Sequence, residues 1–390
     1  MTTVDLPTPG LRTNGDGYGH ARMPRGADVP EPDRIDRVAY GRFRNVYLYI
    51  TEACQLRCEH CYMGERLDRA LKMSVPQIVD TLTTWRRMGG DKLTILGGEP
   101  TLHPHYCDVI RLSKKLGYEH VITTTNAQKP ALRRFRQLEP DDFAYIQVSL
   151  DGGSGDSHDT IRGAGTFTQA LETTAELTHR GFDTRIICTV NKQNEGDALQ
   201  LLDIADHLGI SLVKFHVFST IGAGHGNTKM AMTPLEWVDF CDNLNAVAAQ
   251  YNTRVWYQPT YARRNQMKRY AAEGYQGCIG RTLDRISIFP DGRCYVCSYL
   301  FDTDLYFAQM VDGQVQLNHG VNEFDLFTSA LAESSCGGCK ASACQGGCPY
   351  DTSWMIRWAA SPPERWMEEE AGGDDSDDRG RWTDAATDPI

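Results

Sequence analysis

Six short apolar runs, Val46 to Ile50, Leu93 to Leu96, Val121 to Thr124, Tyr145 to Leu150, Arg185 to Val190 and Leu212 to Phe218, are separated by longer amphipathic stretches. Successive parallel strands cannot be joined by a tight turn and need a crossover of a dozen or more residues, usually a helix. The alternation therefore predicts an α/β fold with a parallel sheet and crossover helices. Helices are marked by Ser74 ahead of VPQIVDTLTTWRRM, by FTQALETTAELTHRG from Phe167, and by DALQLLDIADHLG from Asp197, with Gly181 and Gly209 as stops. The repetition is barrel-like, and in such folds ligands gather beyond the carboxyl ends of the strands.

The chain of 390 residues is long enough for more than one domain. Residues 1–43, rich in Pro and Gly, read as an extended or disordered arm, and residues 361–390 as an acidic tail around EEEAGGDDSDD. Residues 362–390 carry ten Asp/Glu against three Arg, a net −7, which leaves −4 of the total −11 for the rest. A body this balanced has no clustered basic face, which argues against nucleic acid as a partner. Thirteen cysteines without an apolar leader or an apolar run of about 18 residues point to a reducing, cytoplasmic setting and no membrane span.

Directly after the first strand, Cys54, Cys58 and Cys61 form CxxxCxxC in TEACQLRCEHCY. Three thiolates leave one iron of a four-iron cluster open to a ligand that is not protein. A zinc site of Cys54, Cys58, His60 and Cys61 is the rival, although His60 is cramped between two of its partners. The triad, GGEP (Gly97, Gly98, Glu99, Pro100) and SLDG (Ser149 to Gly152) all fall at strand ends on one rim.

These three motifs together resemble those of radical S-adenosylmethionine (radical SAM) enzymes, over residues 45 to 220. The resemblance implies a partial (βα)6 TIM-like barrel, from 44 to 233, whose open iron is chelated by the methionine part of SAM. Glycines at 97 and 98 let backbone approach a ligand closely, and Glu99 can accept from an ammonium group. By similarity, His60 sits where backbone meets adenine, Ser149 makes polar contact with SAM, Arg162 meets its carboxylate, and the Phe215 to Val217 strand passes beneath the adenine. Asp151 belongs to the same motif, with turn capping as its other reading. Leu96 departs from the polar residue that often precedes the glycines in peptide-acting relatives.

Seven further cysteines lie within 71 residues: Cys278, Cys294, Cys297, Cys336, Cys339, Cys344 and Cys348. Their spacing, with Gly292-x4-Cys297 in a hairpin-like ISIFPDGRCYVCSYL, resembles the SPASM extension, which implies a small cysteine-rich iron-sulfur domain (278–360) after a helical linker (234–277). The extension carries auxiliary 4Fe-4S clusters. The resemblance assigns Cys278, Cys297 and Cys348, with Cys294 as a further candidate, to one cluster, and Cys336, Cys339 and Cys344 to a second. Cys294 is out of the usual register and no cysteine follows Cys348, so one ligand set is short. A zinc ribbon of Cys294, Cys297, Cys336 and Cys339 would leave the other three unexplained. Cys107, Cys188 and Cys241 read as ordinary buried thiols.

The resemblance implies reductive cleavage of SAM, with a flavodoxin or ferredoxin as reductant, a 5'-deoxyadenosyl radical, and hydrogen abstraction from substrate. An auxiliary cluster can take up the substrate electron, which favours net oxidation. A ribosomally made peptide is the first substrate class, its leader bound by a separate protein. A small-molecule dehydrogenase or epimerase acting on a sugar or cyclitol in natural-product biosynthesis is the second, and a non-catalytic electron carrier the third. Asn126 and His216 are the catalytic candidates, with Asn191, Asn194 and His225 as further polar contacts.

Overall fold

The computed structural model describes residues 43–225, 227–262, 266 and 285–324. The βα repetition is present: β1 (Asn45–Thr51), α1 (Arg66–Arg69), α2 (Val75–Arg87), β2 (Lys92–Gly97), α3 (Tyr106–Lys115), β3 (His120–Thr125), α4 (Lys129–Phe135), β4 (Tyr145–Ser149), α5 (Gly155–Arg162), α6 (Thr166–His179), β5 (Thr184–Val190), α7 (Leu201–Leu208) and β6 (Leu212–Val217). Then follow α8 (Pro234–Ala248), β7 (Arg254–Tyr257), β8 (Arg285–Ile288), β9 (Arg293–Tyr295), β10 (Ala308–Val311) and β11 (Gln314–Leu317). The strands form one sheet in the order β11-β10-β9-β8-β1-β2-β3-β4-β5-β6-β7. From β8 to β7 all pairs are parallel, and β8 to β11 form an antiparallel meander.

Local chemistry accounts for the boundaries. Ser74 accepts from Gln77 N–H while the Gln77 side chain accepts from Ser74 N–H, a capping box that starts α2. Thr233 and Glu236 start α8 in the same way, with Pro234 in the first turn. Gly209, at φ 70°, takes the left-handed conformation that closes α7. The helix expected from Asp197 begins instead with a 3-10 turn, Ala198–Gln200, because Asp197 is drawn to Ser154 and Ser157 at the start of α5.

The two faces of the sheet differ in chemistry. Val46, Leu48, Ile50, Leu93, Ile95, Val121, Ile146, Val148, Ile186, Val190, Val213, Phe215, Ile286 and Ile288 are fully buried against the helices. Residues of opposite parity, Tyr47, Thr94, Thr124, Gln147, Arg185, Lys214, His216, Trp256 and Arg285 among them, face the inside. Six strand spacings separate β8 from β6, about 29 Å in a flat sheet, yet Arg285 acts electrostatically on His216. The sheet therefore curls into a partial barrel.

The residues from Arg285 to Leu317 extend this same sheet from the β1 edge rather than standing apart from it. An ion network fastens the join. Arg66, 2% exposed, donates from Nε to Glu52 (2.8 Å), and from its two terminal nitrogens to Asp291 and to the Phe301 carbonyl, each at 2.5 Å. Its guanidinium lies 5.0 Å from the ring centres of both Phe289 and Phe301. Among the described residues, no helix is long and apolar enough to cross a membrane. Cys278, Cys336, Cys339, Cys344 and Cys348, and both tails, lie outside the described residues.

Candidate active site

β1 ends at Thr51, and the chain turns into the loop that carries the three thiols. Thr51 Oγ1 accepts from Ala53 N–H (3.1 Å), fixing the turn. Each sulfur is met by N–H donors. Leu56 N–H (3.4 Å) and the Asn126 amide (3.7 Å) point at Cys54 Sγ. Arg162 Nη1 stands 4.0 Å from Cys58 Sγ, and the backbone of Met63 and Gly64 donates to Cys61. Burial pushes the Cys54 thiol up to about 12 and the Cys58 thiol to about 11, against the pull of Leu56 N–H on the first and of Arg162 on the second.

Donors aimed at sulfur suit a thiolate, which coordination by a metal enforces despite burial. That donor set fits an iron-sulfur cluster. His60 turns Nε2 to Asp151 Oδ2 (2.6 Å) and leaves Nδ1 buried without a hydrogen-bond partner. Among the described residues, no three His, Cys, Asp or Glu side chains stand close enough to share one ion. A cluster does not ask this of its ligands, since each thiolate binds a different iron.

Asp151 is the hub of the rim. It is fully buried; Oδ2 accepts from His60 and from Arg162 Nε (2.5 Å), and Oδ1 accepts from Thr189 N–H (2.8 Å). Burial alone would raise its carboxyl, but Arg162 and then His60 hold it well below the usual carboxylate range. The Arg162 guanidinium is correspondingly held charged, Asp151 outweighing the cost of burial. Arg162 comes from the last turn of α5, so SLDG, α5 and the thiol loop are tied together through one ionic contact. Asp151 and Arg162 engage each other beside Cys58.

Glu99 is held by protein donors. Its Oε1 accepts from Thr101 N–H (3.2 Å), Thr101 Oγ1 (2.6 Å) and Thr125 Oγ1 (2.9 Å), and its Oε2 from Asn126 N–H (2.8 Å). Four donors answer the demand of a buried carboxylate, whose pKa burial raises. The glycines before it admit protein backbone. A Cβ on Gly97 would sit 2.5 Å from the Thr51 carbonyl oxygen, and one on Gly98 2.5 Å from that of Glu52. GGEP is thereby laid against the end of β1, with Glu99 N–H donating to the Ala53 carbonyl (2.9 Å). Pro100 opens a 3-10 turn directly after it.

Of the other expected contacts, Ser149 and Val217 stand half-buried at the carboxyl ends of β4 and β6. Asn126 is committed to the thiol loop, its Oδ1 accepting from Gln55 (3.0 Å) and Gln128 N–H (3.2 Å). Asn191 and Asn194 build a turn, Asn191 N–H donating to Asn194 Oδ1 and Asn194 Nδ2 to the Asp151 carbonyl. All three side chains support turns at the rim. His225 is exposed, and His216 faces the barrel interior.

The cysteines of the hairpin separate. Cys294, in β9, is fully buried and its thiol donates to the Gly292 carbonyl (3.5 Å), the setting of a core thiol. Cys297 is half-buried, and the Val296 and Cys297 N–H groups donate to the Glu323 carboxylate at 2.6 and 3.0 Å. Burial pushes Glu323 up to about 8. Glu323 is absent from any motif and was not legible in the sequence. Cys107, Cys188 and Cys241 are buried, as expected of ordinary thiols.

Gly222, in the IGAGHG loop after β6, was also missed. At φ 61°, its Cβ would lie 2.1 Å from the Tyr62 carbonyl oxygen, while Ala223 N–H donates to the Cys61 carbonyl (2.9 Å). Gly222→Ala is expected to add about 1–3 kcal/mol of backbone strain and to displace the Cys61 loop. Urea denaturation and the iron bound per chain after anaerobic reconstitution measure both effects.

Residues 48–205 match the radical SAM superfamily. Mycofactocin maturase MftC of Mycobacterium ulcerans is 29% identical over 164 residues, which span 42% of this chain and 44% of that protein. A probable GTP 3',8-cyclase of Saccharolobus solfataricus is 24% identical over 288 residues, 72% of this chain and 90% of that one. Among solved structures, Streptococcus suis SuiB bound to S-adenosylmethionine aligns with a TM-score of 0.61 at 18% identity, over 78% of this chain and 72% of that one. The enzyme anSMEcpe with bound AdoMet and Kp18Cys peptide aligns with 0.62 at 16%, over 81% and 96%. The structural likenesses establish the fold. With the thiol loop, GGEP and SLDG assembled at one rim of that fold, residues 48–205 of the chain form a radical SAM domain.

Proposed function

We propose that this protein is a peptide-modifying radical SAM enzyme of the SPASM type, which oxidises or cross-links side chains of a ribosomally made peptide. The observation that carries the SAM chemistry is the ionic contact of His60, Asp151 and Arg162 beside Cys58, which holds the thiol loop against the rim. Cys54, Cys58 and Cys61 would hold a 4Fe-4S cluster, and the half-buried rim around Gly98, Ser149 and Val217 would receive S-adenosylmethionine. When bound, cluster and SAM together supply a 5'-deoxyadenosyl radical. The chain's own residues set the stage for it: Asn126, Leu56 and Arg162 stabilise thiolate charge, and Glu99 locks GGEP to the turn after β3.

The peptide class is supported by similarity to a maturase and by a fold shared with SuiB bound to precursor peptide SuiA. Cys297, beside the barrel interior, is the described residue suited to an auxiliary cluster, with the ligands outside the described residues completing it. That arrangement favours net oxidation, with flavodoxin or ferredoxin as reductant and a separate leader-binding protein as partner. Similarity to a GTP cyclase keeps a small-molecule substrate as the second reading.

Anaerobic reconstitution followed by dithionite and SAM is expected to release 5'-deoxyadenosine, and Cys58→Ala to reduce release to background. No 5'-deoxyadenosine from the native chain would sink the proposal. About eight to twelve irons per chain support one or two auxiliary clusters, at four irons each. About four, with stoichiometric zinc, would refute them.

A further inference from the structure

Two loops carry the described cysteines assigned to iron. The thiol loop follows β1, and Cys297 lies two residues past β9, in the meander that β8 joins to the edge of β1. Tyr62 follows Cys61 in the chain, and Ser298 follows Cys297. The side chains of these two followers meet on a third residue. Tyr62 Oη donates to Tyr49 Oη (2.8 Å), and the Ser298 side chain hydrogen-bonds the same phenol. The residue after each cysteine is therefore tied to one oxygen near the carboxyl end of β1.

The tie is set in a block of rings. The Tyr62 ring lies 5.9 Å from that of Tyr299 and 6.0 Å, edge on, from that of Phe301, and the Tyr49 ring stacks on Phe289 at 4.1 Å. Tyr49 is buried, and a buried phenol is costly to leave without a partner, so its oxygen holds both donors in place. Burial pushes both phenols up, Tyr62 well above the usual range, so each stays neutral and keeps its hydrogen. The backbone of Tyr62 is pinned as well, because Gly222 of the loop after β6 packs against its carbonyl. Close-packed side chains of this kind transmit a displacement rather than absorb it. A shift of either cysteine loop is therefore felt by the other.

We propose that Tyr62, Tyr49 and Ser298 are positioning residues that couple the two cysteine loops, so that the Cys61 loop keeps its shape only while the Cys297 loop keeps its own, and the reverse. It deepens the proposed function and rests on that reading for the iron that Cys297 would hold, not for the bridge, which stands on its contacts. Tyr62 and Ser298 each act through the cysteine that precedes them. The coupling is a free energy shared by two sites, and it acts equally in both directions. Its use is order: ligation of iron on one loop stiffens the bridge, and the second loop then loses less freedom when its own iron binds.

The test incubates the full-length reconstituted protein anaerobically with excess EDTA and iodoacetamide, and mass spectrometry follows the capture of each thiol as its iron leaves. Ser298→Ala is expected to speed capture of Cys61, on the other loop, about fivefold, the scale of one net hydrogen bond. Tyr62→Phe should speed capture of Cys297 by a similar factor, and Ser298→Thr, which keeps the hydroxyl, should restore the native rate at Cys61. The buried thiols of Cys107, Cys188 and Cys241 should keep their native rates, whereas a general loosening of the fold would expose them too. A native rate at Cys61 in Ser298→Ala, or a parallel rise at the three core thiols, overturns the proposal. About four irons per chain, with Cys297 of the native protein captured before any chelator is added, overturns the auxiliary cluster instead, and the Cys61 response still decides the bridge. If melting curves show that Ser298→Ala does not fold, Tyr62→Phe takes its place, read at Cys297 on the same terms.

Discussion

Arg66→Ala is expected to destabilise the protein by about 3–5 kcal/mol, because it strips the counter-ion from a buried charge. Glu52 is fully buried and Asp291 is 20% exposed, and both direct a carboxylate oxygen at Arg66. Arg69 reaches the far oxygen of Glu52 at 3.4 Å, but it is 43% exposed and replaces little of the lost contact. The loss corresponds to roughly 10 °C in Tm for a unit of this size. Arg66→Met should fare no better, since it fills space and leaves the acids. Arg66→Met with Glu52→Leu should recover much of the loss, as an apolar replacement of a whole buried pair commonly does. Thermal unfolding of the three variants checks the order. Equal stability of Arg66→Ala and the native chain would show that the network does not fasten β8 and β9 to the barrel.

Asp151→Asn and Arg162→Leu are expected to move the cluster's reduction potential in opposite directions. Reduction adds negative charge beside Cys58. Removing the nearby guanidinium makes that harder and lowers the potential; removing the carboxylate makes it easier and raises it. With Arg162 Nη1 4.0 Å from Cys58 Sγ, an effective dielectric near 20 gives a shift on the order of 100 mV for the full charge. Asp151 acts from farther away and should shift it less. Each variant also leaves a buried charge unpaired, costing about 3–5 kcal/mol in stability. EPR-monitored redox titration separates the two effects, since a merely structural role would lower stability without giving the potentials opposite signs.

Much of the architecture was legible in the residues. The six apolar runs became β1 to β6 within one or two residues at each end, because a strand buried under helices needs continuous apolar character on one face. Ser74, Gly181 and Gly209 marked helix boundaries through local hydrogen bonding and positive φ, which depend on neighbours in the chain alone. The thiol triad was legible for the same reason: its spacing is local.

Roles that depend on contacts distant in sequence were not legible. Asp151 and Arg162 pair with each other across the rim, and Glu99 accepts from Thr101, Thr125 and Asn126. Gly98 is approached by the backbone of Glu52 and Ala53, a contact no local spacing announces. Cys294 and Cys297 share one hairpin, and only strand parity sends the first thiol into the core.

By itself, the sequence determined the βα order, the helix caps and the presence of a cysteine loop at a strand end, all consequences of short-range periodicity and backbone chemistry. Only the tertiary structure decided which charges meet one another. A buried charge must find its partner in space, and folding brings Arg285 from β8 to face Lys214 and His216 across an arc that no sequence spacing reveals.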